Sequence, residues 1–330
     1  MKKAVYIFSS GNVKRDENTI FVDTDKTRKY IPIENTSEIY AFGELSFNTK
    51  LLNYLSEKEI ILHYFNYYGY YSGTIYPRQH LSSGYVIINQ VKHYLDISKR
   101  LEIAKLIEYG SSGNMLVNLK YYDNRGINLS DKIQKIDNLK NEFNKQNNIN
   151  SLMLIEGKIR KLYYSAFSYI IKNSDFKLET RNKRPPKDRI NALISFINSI
   201  IYTKVLSEIY KTHMDPRIGY LHETNFRRFT LNLDIAEGFK PILGDRTIFK
   251  LLNENIITSN DFINYDNMIS LKENGRKEIM KQLDEKLSTT IKYPGLSHNV
   301  SYQRLIRLEI YKLEKHIMGD EYYKPYISKW

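Results

Sequence analysis

Three short stretches in the second half of the chain decide its fold and the position of its chemistry. They read RPPKDRINALISF (residues 184–196), HMDPRIGYLH (residues 213–222) and LNLDIAEGFKP (residues 231–241). The first opens a long apolar helix, the second passes through a glycine to a histidine, and the third places two acids three residues apart on a predicted helix. Along the sequence, these stretches therefore place acids and histidines that could bind a divalent cation close to lysines and arginines.

The hydrophobic period changes at Tyr76-Pro77-Arg78. Before this point apolar and polar residues alternate with a period of two, which predicts strands, and after it the period is about 3.6, which predicts helices. Helices are expected at about residues 84–109, 113–122, 130–146, 151–173, 188–211, 231–237, 245–253, 272–289 and 299–317. We therefore predict an α+β protein, with a small β-sandwich-like domain over residues 1–76 and a larger all-α catalytic domain over residues 77–330.

Composition limits the setting of the protein and its metal chemistry. The 330 residues are 42% hydrophobic, which is enough to build a core, and none is cysteine. Disulfides and thiolate metal sites are therefore excluded, and a reducing cytoplasm is the expected location. The first apolar run, residues 4–8, is too short for a signal peptide, and the most apolar helix, residues 192–202, is interrupted by polar residues and falls short of a bilayer span. We expect no membrane association.

Charge is distributed unevenly along the chain. The net charge is +13, but residues 1–76 contain nine basic and nine acidic side chains, so the whole surplus belongs to residues 77–330. A one-sided basic surplus attracts polyanions, of which nucleic acid is the usual example. The alternative, a basic surface kept for solubility, stays open at this point.

Glu156 is an acid within an apolar helical stripe. Its neighbours on that face of the predicted helix are Leu, Ile, Ile, Tyr and Ala. An unpaired buried carboxylate costs several kcal/mol, by rough estimate, so Glu156 needs a metal, a proton or a cationic partner. A salt bridge to an arginine at the edge of the stripe is the simpler alternative.

Asp234 and Glu237 stand three residues apart, so they project from the same side of a helix and are able to clasp one ion. Lys240 follows one turn later, and His222 precedes this helix. A D-x-x-E pattern or a single histidine is weak evidence alone, since both are common as solvated or packing residues. Carboxylates with one imidazole favour Mg²⁺ or Mn²⁺, and such an ion polarises phosphates and activates a bound hydroxyl. Glu156, His222, Asp234 and Glu237 are thus candidate metal ligands.

Basic and aromatic residues surround these candidates along the sequence and are suited to grip a nucleic-acid backbone or stack on bases. The DNA-binding candidates are Arg184, Lys187, Arg189, Arg217, Arg227, Arg228, Arg246, Tyr163 and Tyr202. No G-x-x-x-x-G-K-[ST], G-x-G-x-x-G or G-x-S-x-G motif is present, which argues against ATP-driven and serine-hydrolase chemistry.

The three quoted stretches, with a helix-borne glutamate upstream, resemble the CRISPR-associated Cas-one family, the integrase of CRISPR adaptation. Order and spacing match, and the similarity extends over essentially the whole chain. The resemblance implies an N-terminal β domain used for dimerisation and a helical catalytic domain whose metal ligands map onto Glu156, His222 and an acid of D-x-x-E, with Glu237 preferred and Asp234 beside it. Lys240 stands where the family often has Arg, which keeps the charge but loses the bidentate fork.

The resemblance also implies a reaction and partners. The substrate would be a short DNA duplex whose 3′-hydroxyls attack phosphodiesters of the CRISPR repeat, and a homodimer would act with the small Cas-two protein, with a Cas-four nuclease as an optional further partner. Two alternatives stay open. One is a metal-dependent nuclease of branched or single-stranded DNA, and the other is a non-catalytic nucleic-acid-binding scaffold.

Overall fold

A computed structural model of the chain describes residues 2–24, 27–78, 81, 83–182, 185–224, 229–266 and 268–329. The chain divides into two compact units, Met1–Leu81 and Ser82–Trp330. The first contains strands and one α-helix, and the second is mostly helical. The predicted α+β fold class is therefore confirmed. The boundary after residue 76 and the dimerisation role of the first domain stay predictions.

Two four-stranded sheets form the first unit. Its elements are β1 (Lys3–Ile7), β2 (Gly11–Asp16), β3 (Thr19–Asp23), β4 (Arg28–Ile31), β5 (Thr36–Ala41), β6 (Leu45–Ser46), helix α1 (Thr49–Glu57), β7 (Ile61–Phe65) and β8 (Tyr71–Ile75), with a 3₁₀ turn at Ile33–Asn35. One sheet has the order β1-β5-β7-β8, in which only the β7–β8 pair is antiparallel, and the other has the order β4-β3-β2-β6. Alternate residues of both sheets, such as Val13, Ile39 and Leu62, share one core with Leu51 of α1, as in a sandwich.

Helices dominate the second unit. They are α2 (Gly84–Leu95), α3 (Ile97–Asp123), α4 (Ser130–Asn141), α5 (Ile149–Ser165), α6 (Phe167–Ile170), α7 (Arg189–Ile209), α8 (Leu231–Phe239), a π-helix (Lys240–Asp245), α9 (Arg246–Asn253), α10 (Glu273–Ser288) and α11 (Tyr302–Met318), with 3₁₀ turns at Glu142–Lys145, Ser174–Phe176 and Ser259–Asp261. Two small antiparallel pairs, β9 (Phe262–Tyr265) with β10 (Met268–Leu271) and β11 (Thr290–Lys292) with β12 (Asn299–Ser301), correct the all-α expectation.

Helix α7 is the core helix of this unit, and it begins with a side-chain cap. The Asp188 carboxylate accepts a hydrogen bond from the backbone N–H of Asn191 at 2.7 Å. Contrary to the expectation above, α7 is long and apolar enough to span a bilayer, but 83% of its most apolar stretch is buried within the protein. That burial is the pattern of a core helix.

Helix α3 is continuous where a break was predicted near residues 110–112. The predicted break is wrong because Gly110 and Gly113 serve packing. A Cβ on Gly110 would lie 2.6 Å from Pro325 Cβ, and one on Gly113 would lie 2.7 Å from the Ile327 Cδ1 atom. The C-terminal tail therefore runs close along α3 at these glycines.

Asn114 of α3 ties the same tail to α8. Its side-chain amide donates to the carbonyls of Gly238 and Tyr326, both at 2.9 Å, and its oxygen accepts from the N–H of Ser328 at 2.8 Å. The tail thus helps to fix the helix that carries Asp234 and Glu237.

Candidate active site

The segment before α8 is folded by a tight approach at Gly219. The Gly219 N–H donates to Thr230 Oγ1 at 2.9 Å, and the same hydroxyl donates to the Arg217 carbonyl at 2.8 Å. A Cβ on Gly219 would lie 2.7 Å from the Thr230 carbonyl carbon and 2.9 Å from Asp234 Oδ2. Only glycine therefore lets the chain pass this close to α8 on its way to His222.

Asp234 fixes the end of this segment through four hydrogen bonds. Its Oδ2 accepts from the N–H groups of Tyr220 at 2.5 Å and Leu221 at 3.0 Å. Its Oδ1 accepts from the N–H of His222 at 2.9 Å and lies 2.8 Å from the His222 Nδ1. The carboxylate is fully buried and both oxygens have donors, so Asp234 orients His222.

His222 is left with its second ring nitrogen directed toward Glu237. A carboxylate only accepts hydrogen bonds, so in the neutral ring Nδ1 carries the hydrogen and Nε2 carries the lone pair. His222 Nε2 lies 3.9 Å from Glu237 Oε1, and the histidine side chain is 28% exposed. A ligand nitrogen thus faces an acid at a partly open position.

Glu156 and Glu237 are brought together by Arg160, which the sequence analysis missed. Arg160 Nε pairs with Glu156 Oε1 one helical turn away on α5, and Arg160 Nη2 pairs with Glu237 Oε2 on α8. The structure therefore contains the simpler alternative given for Glu156, a salt bridge to an arginine. The spacing of four residues was a signal that could have identified Arg160.

Lys240 is a second cationic side chain that contacts Glu237, in addition to Arg160. Its Nζ donates to Glu237 Oε1 at 2.6 Å and lies 4.8 Å from the centre of the Tyr202 ring. The Lys240 side chain is buried, and burial lowers its pKa. A buried ammonium beside a carboxylate is well placed to offset negative charge on a phosphate.

The donors present fit a hard divalent cation. Glu156, Glu237 and the His222 Nε2 atom are two carboxylates and one imidazole, a set suited to Mn²⁺ or Mg²⁺. Among the residues that the structure describes, no three such side chains form a ready-made metal cluster. The reason is visible in the site, because the Arg160 guanidinium lies between the two carboxylates where a shared cation would lie.

Two further buried acids border the site, and sequence reasoning identified neither. Burial raises the pKa of Glu108 to about 7, while the charges of Arg160 and Lys240 act in the opposite direction. Burial also raises the pKa of Asp245 to about 7, and Tyr163 donates its hydroxyl to Asp245 Oδ2 at 3.0 Å. The signal in the sequence for Glu108 was an acid between Ile107 and Tyr109 at the end of a predicted helix.

The DNA-binding candidates have different surroundings. Arg184, Arg227 and Arg228 lie outside the described residues. Tyr163 is fully buried, so its ring presents no face for stacking on a base.

The remaining candidates are less enclosed. Arg246 donates to Asn118 Oδ1 at 2.7 Å, and Arg217, whose side chain is 70% exposed, pairs with Asp215 at 2.5 Å. Lys187 is exposed, whereas Arg189 and Tyr202 are partly buried.

Comparison with known proteins gives matches over most or all of the chain. The family model described as CRISPR associated protein Cas1 matches residues 5–285. A CRISPR-associated endonuclease Cas1 of Thermodesulfovibrio yellowstonii is 52% identical over 330 residues, with all of both chains covered. A CRISPR-associated endonuclease Cas1 of Thermotoga maritima is 44% identical over 319 residues, which cover 97% of this chain and 98% of its own.

Solved structures give the same fold. A Cas1 protein structure from Thermotoga maritima has a TM-score of 0.88 at 43% identity and covers 97% of this chain and 98% of its own. A casposase bound to an integration product has a TM-score of 0.83 at 18% identity and covers 100% of this chain and 96% of its own. At that identity the second likeness concerns the fold alone.

Proposed function

The chain belongs to the Cas1 family of CRISPR-associated proteins, and on that premise we propose that it is a metal-dependent DNA endonuclease and integrase of CRISPR adaptation. The observation that carries the proposal is the unbroken chain of contacts from Glu156 through Arg160 to Glu237 and His222. Residues far apart in sequence meet there with donors for one cation. The two relatives described above are named CRISPR-associated endonucleases, which supports this class of reaction.

In the proposed reaction, a DNA 3′-hydroxyl attacks a phosphodiester of the CRISPR repeat. Glu156, Glu237 and His222 Nε2 would hold Mg²⁺ or Mn²⁺, which when bound polarises the phosphate and favours ionisation of the attacking hydroxyl. A new P–O bond forms as the bond to the leaving 3′-oxygen breaks, and the proton released by the nucleophile is balanced by protonation of that oxygen. One phosphodiester replaces another, so no ATP is consumed.

The residues of the chain supply orientation and charge. Asp234 holds His222 with Nε2 toward Glu237 and is therefore a positioning residue rather than a proposed ligand. Lys240 lies within hydrogen-bonding distance of Glu237 and would offset charge on the pentacoordinate phosphate. With water in place of the 3′-hydroxyl, the same arrangement would act as a nuclease.

The partners follow the same proposal. Two strands must be joined, so we infer a homodimer that acts in the cytoplasm on double-stranded DNA with 3′-hydroxyl ends. A complex of Cas6-RT-Cas1 with Cas2 has the same fold in its matching part, with a TM-score of 0.84 at 17% identity, and this chain covers 36% of that longer chain. A Cas2 partner is therefore proposed here, and a Cas-four partner stays an open part of the proposal.

The test compares Glu156→Ala and His222→Ala with a matched pair of the same residue types. His213 and Glu314 form a separate 2.9 Å contact in the helical unit, so His213→Ala and Glu314→Ala are the controls. Strand transfer of a 3′-hydroxyl duplex into repeat DNA is measured with Mg²⁺, with Mn²⁺ and with EDTA, and DNA binding is measured by anisotropy.

We expect the two site variants to keep their fold and DNA affinity and to lose strand transfer, while the controls retain it. Strand transfer retained by both site variants, or full activity in EDTA, would overturn the catalytic assignment. Loss of folding together with DNA binding would favour the scaffold alternative, because the Arg160 ion pairs would then be purely structural.

A further inference from the structure

Arg160 holds the position of a cation in the site just described. Its guanidinium spans Glu156 Oε1 and Glu237 Oε2, and its side chain is only 18% exposed. A guanidinium and a metal ion cannot lie between the same two oxygens at once. A cation that binds at these two oxygens therefore requires Arg160 to move, and a largely buried guanidinium then needs a new acceptor.

Lys240 and Asp234 do not offer that acceptor. Lys240 is itself a cation and already occupies Glu237 Oε1 at 2.6 Å. Both oxygens of Asp234 accept from the 220–222 backbone and His222. Among these neighbours, no carboxylate oxygen is available to a displaced guanidinium.

Glu108 of α3 is an acid beside this site with a buried oxygen that no donor in the described part of the chain reaches. It is 2% exposed, and its Oε1 has no hydrogen-bond partner among the described residues. Helix α3, which carries Glu108, packs against α5, which carries Arg160, and the positive charge of Arg160 favours the ionised form of Glu108. A buried carboxylate oxygen without a donor is unfavourable, so Glu108 would be stabilised by a guanidinium that approaches it.

We propose that Arg160 is an exchangeable internal counter-ion, paired with Glu156 and Glu237 in the metal-free protein and transferred to Glu108 when a divalent cation binds. Arg160 and Glu108 are then positioning residues for the metal site. This inference rests on the proposed function, because it takes the metal site as given. It predicts that Glu108 assists metal binding only through Arg160.

A double-mutant cycle of Mn²⁺ affinity tests the exchange without using activity. Mn²⁺ binding is measured by calorimetry, and free Mn²⁺ by electron paramagnetic resonance, on full-length protein without DNA. The variants are Glu108→Gln, Arg160→Gln and both together, with Arg160→Met as a second variant that removes the charge. Arg307→Gln is the matched control, because Arg307 pairs with buried Glu208 at 2.6 Å in a separate ion pair.

We expect Glu108→Gln to weaken Mn²⁺ binding about tenfold, the effect of losing one charge-assisted hydrogen bond in the bound state. Arg160→Gln is expected to bind Mn²⁺ more tightly, because no internal cation competes. In the Arg160→Gln background, Glu108→Gln should change the affinity less than about twofold, since the guanidinium that couples them is gone.

Three outcomes would count against the exchange. Wild-type affinity in Glu108→Gln overturns it, and so does the same weakening with and without Arg160, which would mean that Glu108 acts on the metal by its charge alone. If Arg160→Gln does not fold, Arg160→Met takes its place, and an unchanged effect of Glu108→Gln in that background likewise overturns the exchange. Failure of the wild type to bind Mn²⁺ would instead refute the proposed metal site itself.

Discussion

Replacing Asp234 with asparagine tests the assignment of this carboxylate as the anchor of the His222 segment. Four donors converge on its two oxygens, two on Oδ1 and two on Oδ2. Asparagine keeps one oxygen and replaces the other with an NH₂ group, which is itself a donor. In Asp234→Asn, two of the four N–H donors would therefore face the NH₂ group instead of an oxygen, whichever way the amide is turned.

The magnitude follows from those two contacts. A hydrogen bond to a charged group contributes about 1.5–3 kcal/mol, and leaving a buried donor unsatisfied costs a similar amount. Asp234 is fully buried, so water does not replace the lost partner. We expect Asp234→Asn to lower the free energy of unfolding by about 3–6 kcal/mol.

The assay is urea denaturation followed by circular dichroism, and the dependence of the free energy of unfolding on urea concentration is compared between variants. Asp96→Asn is the matched control, because Asp96 uses one oxygen, Oδ1, to accept from the N–H groups of Ser98 and Lys99 at an exposed helix start. Asparagine caps a helix as well as aspartate, so this control should unfold like the wild type. A loss in Asp234→Asn below about 1 kcal/mol would refute the anchoring role.

Three further predictions concern stability and binding. Burial raises the pKa of Asp245 to about 7, so the contribution of this group to the free energy of unfolding is fully present below its unfolded pKa of 3.8 and is lost as the pH rises through 7. Between these pH values the group lowers the free energy of unfolding by up to about 1.4 kcal/mol per pH unit, and Asp245→Asn should remove this pH dependence. The same pH dependence in the wild type and in Asp245→Asn would contradict the assignment. Gly110→Ala should lower the free energy of unfolding by about 1–3 kcal/mol, because the new Cβ would displace Pro325. In Gly157→Ala the new Cβ would meet nothing within 4 Å, so this control should stabilise the protein slightly. Thermal unfolding of both variants measures the difference, and equal effects would refute the packing argument. DNA affinity should fall steeply with salt concentration in anisotropy titrations, and a flat dependence would remove nucleic acid as the partner of the basic surplus.

Several features of the molecule were predictable because they depend on local pattern. The change of period after Tyr76 predicted the α+β division, and the apolar run at residues 192–202 predicted the helix that the structure contains as α7. An acid on the apolar face of α5 was expected to need a metal, a proton or a cationic partner, and the structure contains the cationic partner, Arg160. The break predicted in α3 is absent, and the two glycines at that position instead allow the C-terminal tail to pack closely against the helix.

The sequence by itself determined which residue types were available to the site, since Glu156, His222 and the D-x-x-E pair stand out from their surroundings without coordinates. Only the tertiary structure distinguished the two acids of that pair. Asp234 and Glu237 share one side of α8, but Asp234 meets the backbone of residues 220–222 whereas Glu237 meets Arg160. The physical reason is that a carboxylate takes its role from the donors that packing brings to it, and those donors come from segments distant in the chain.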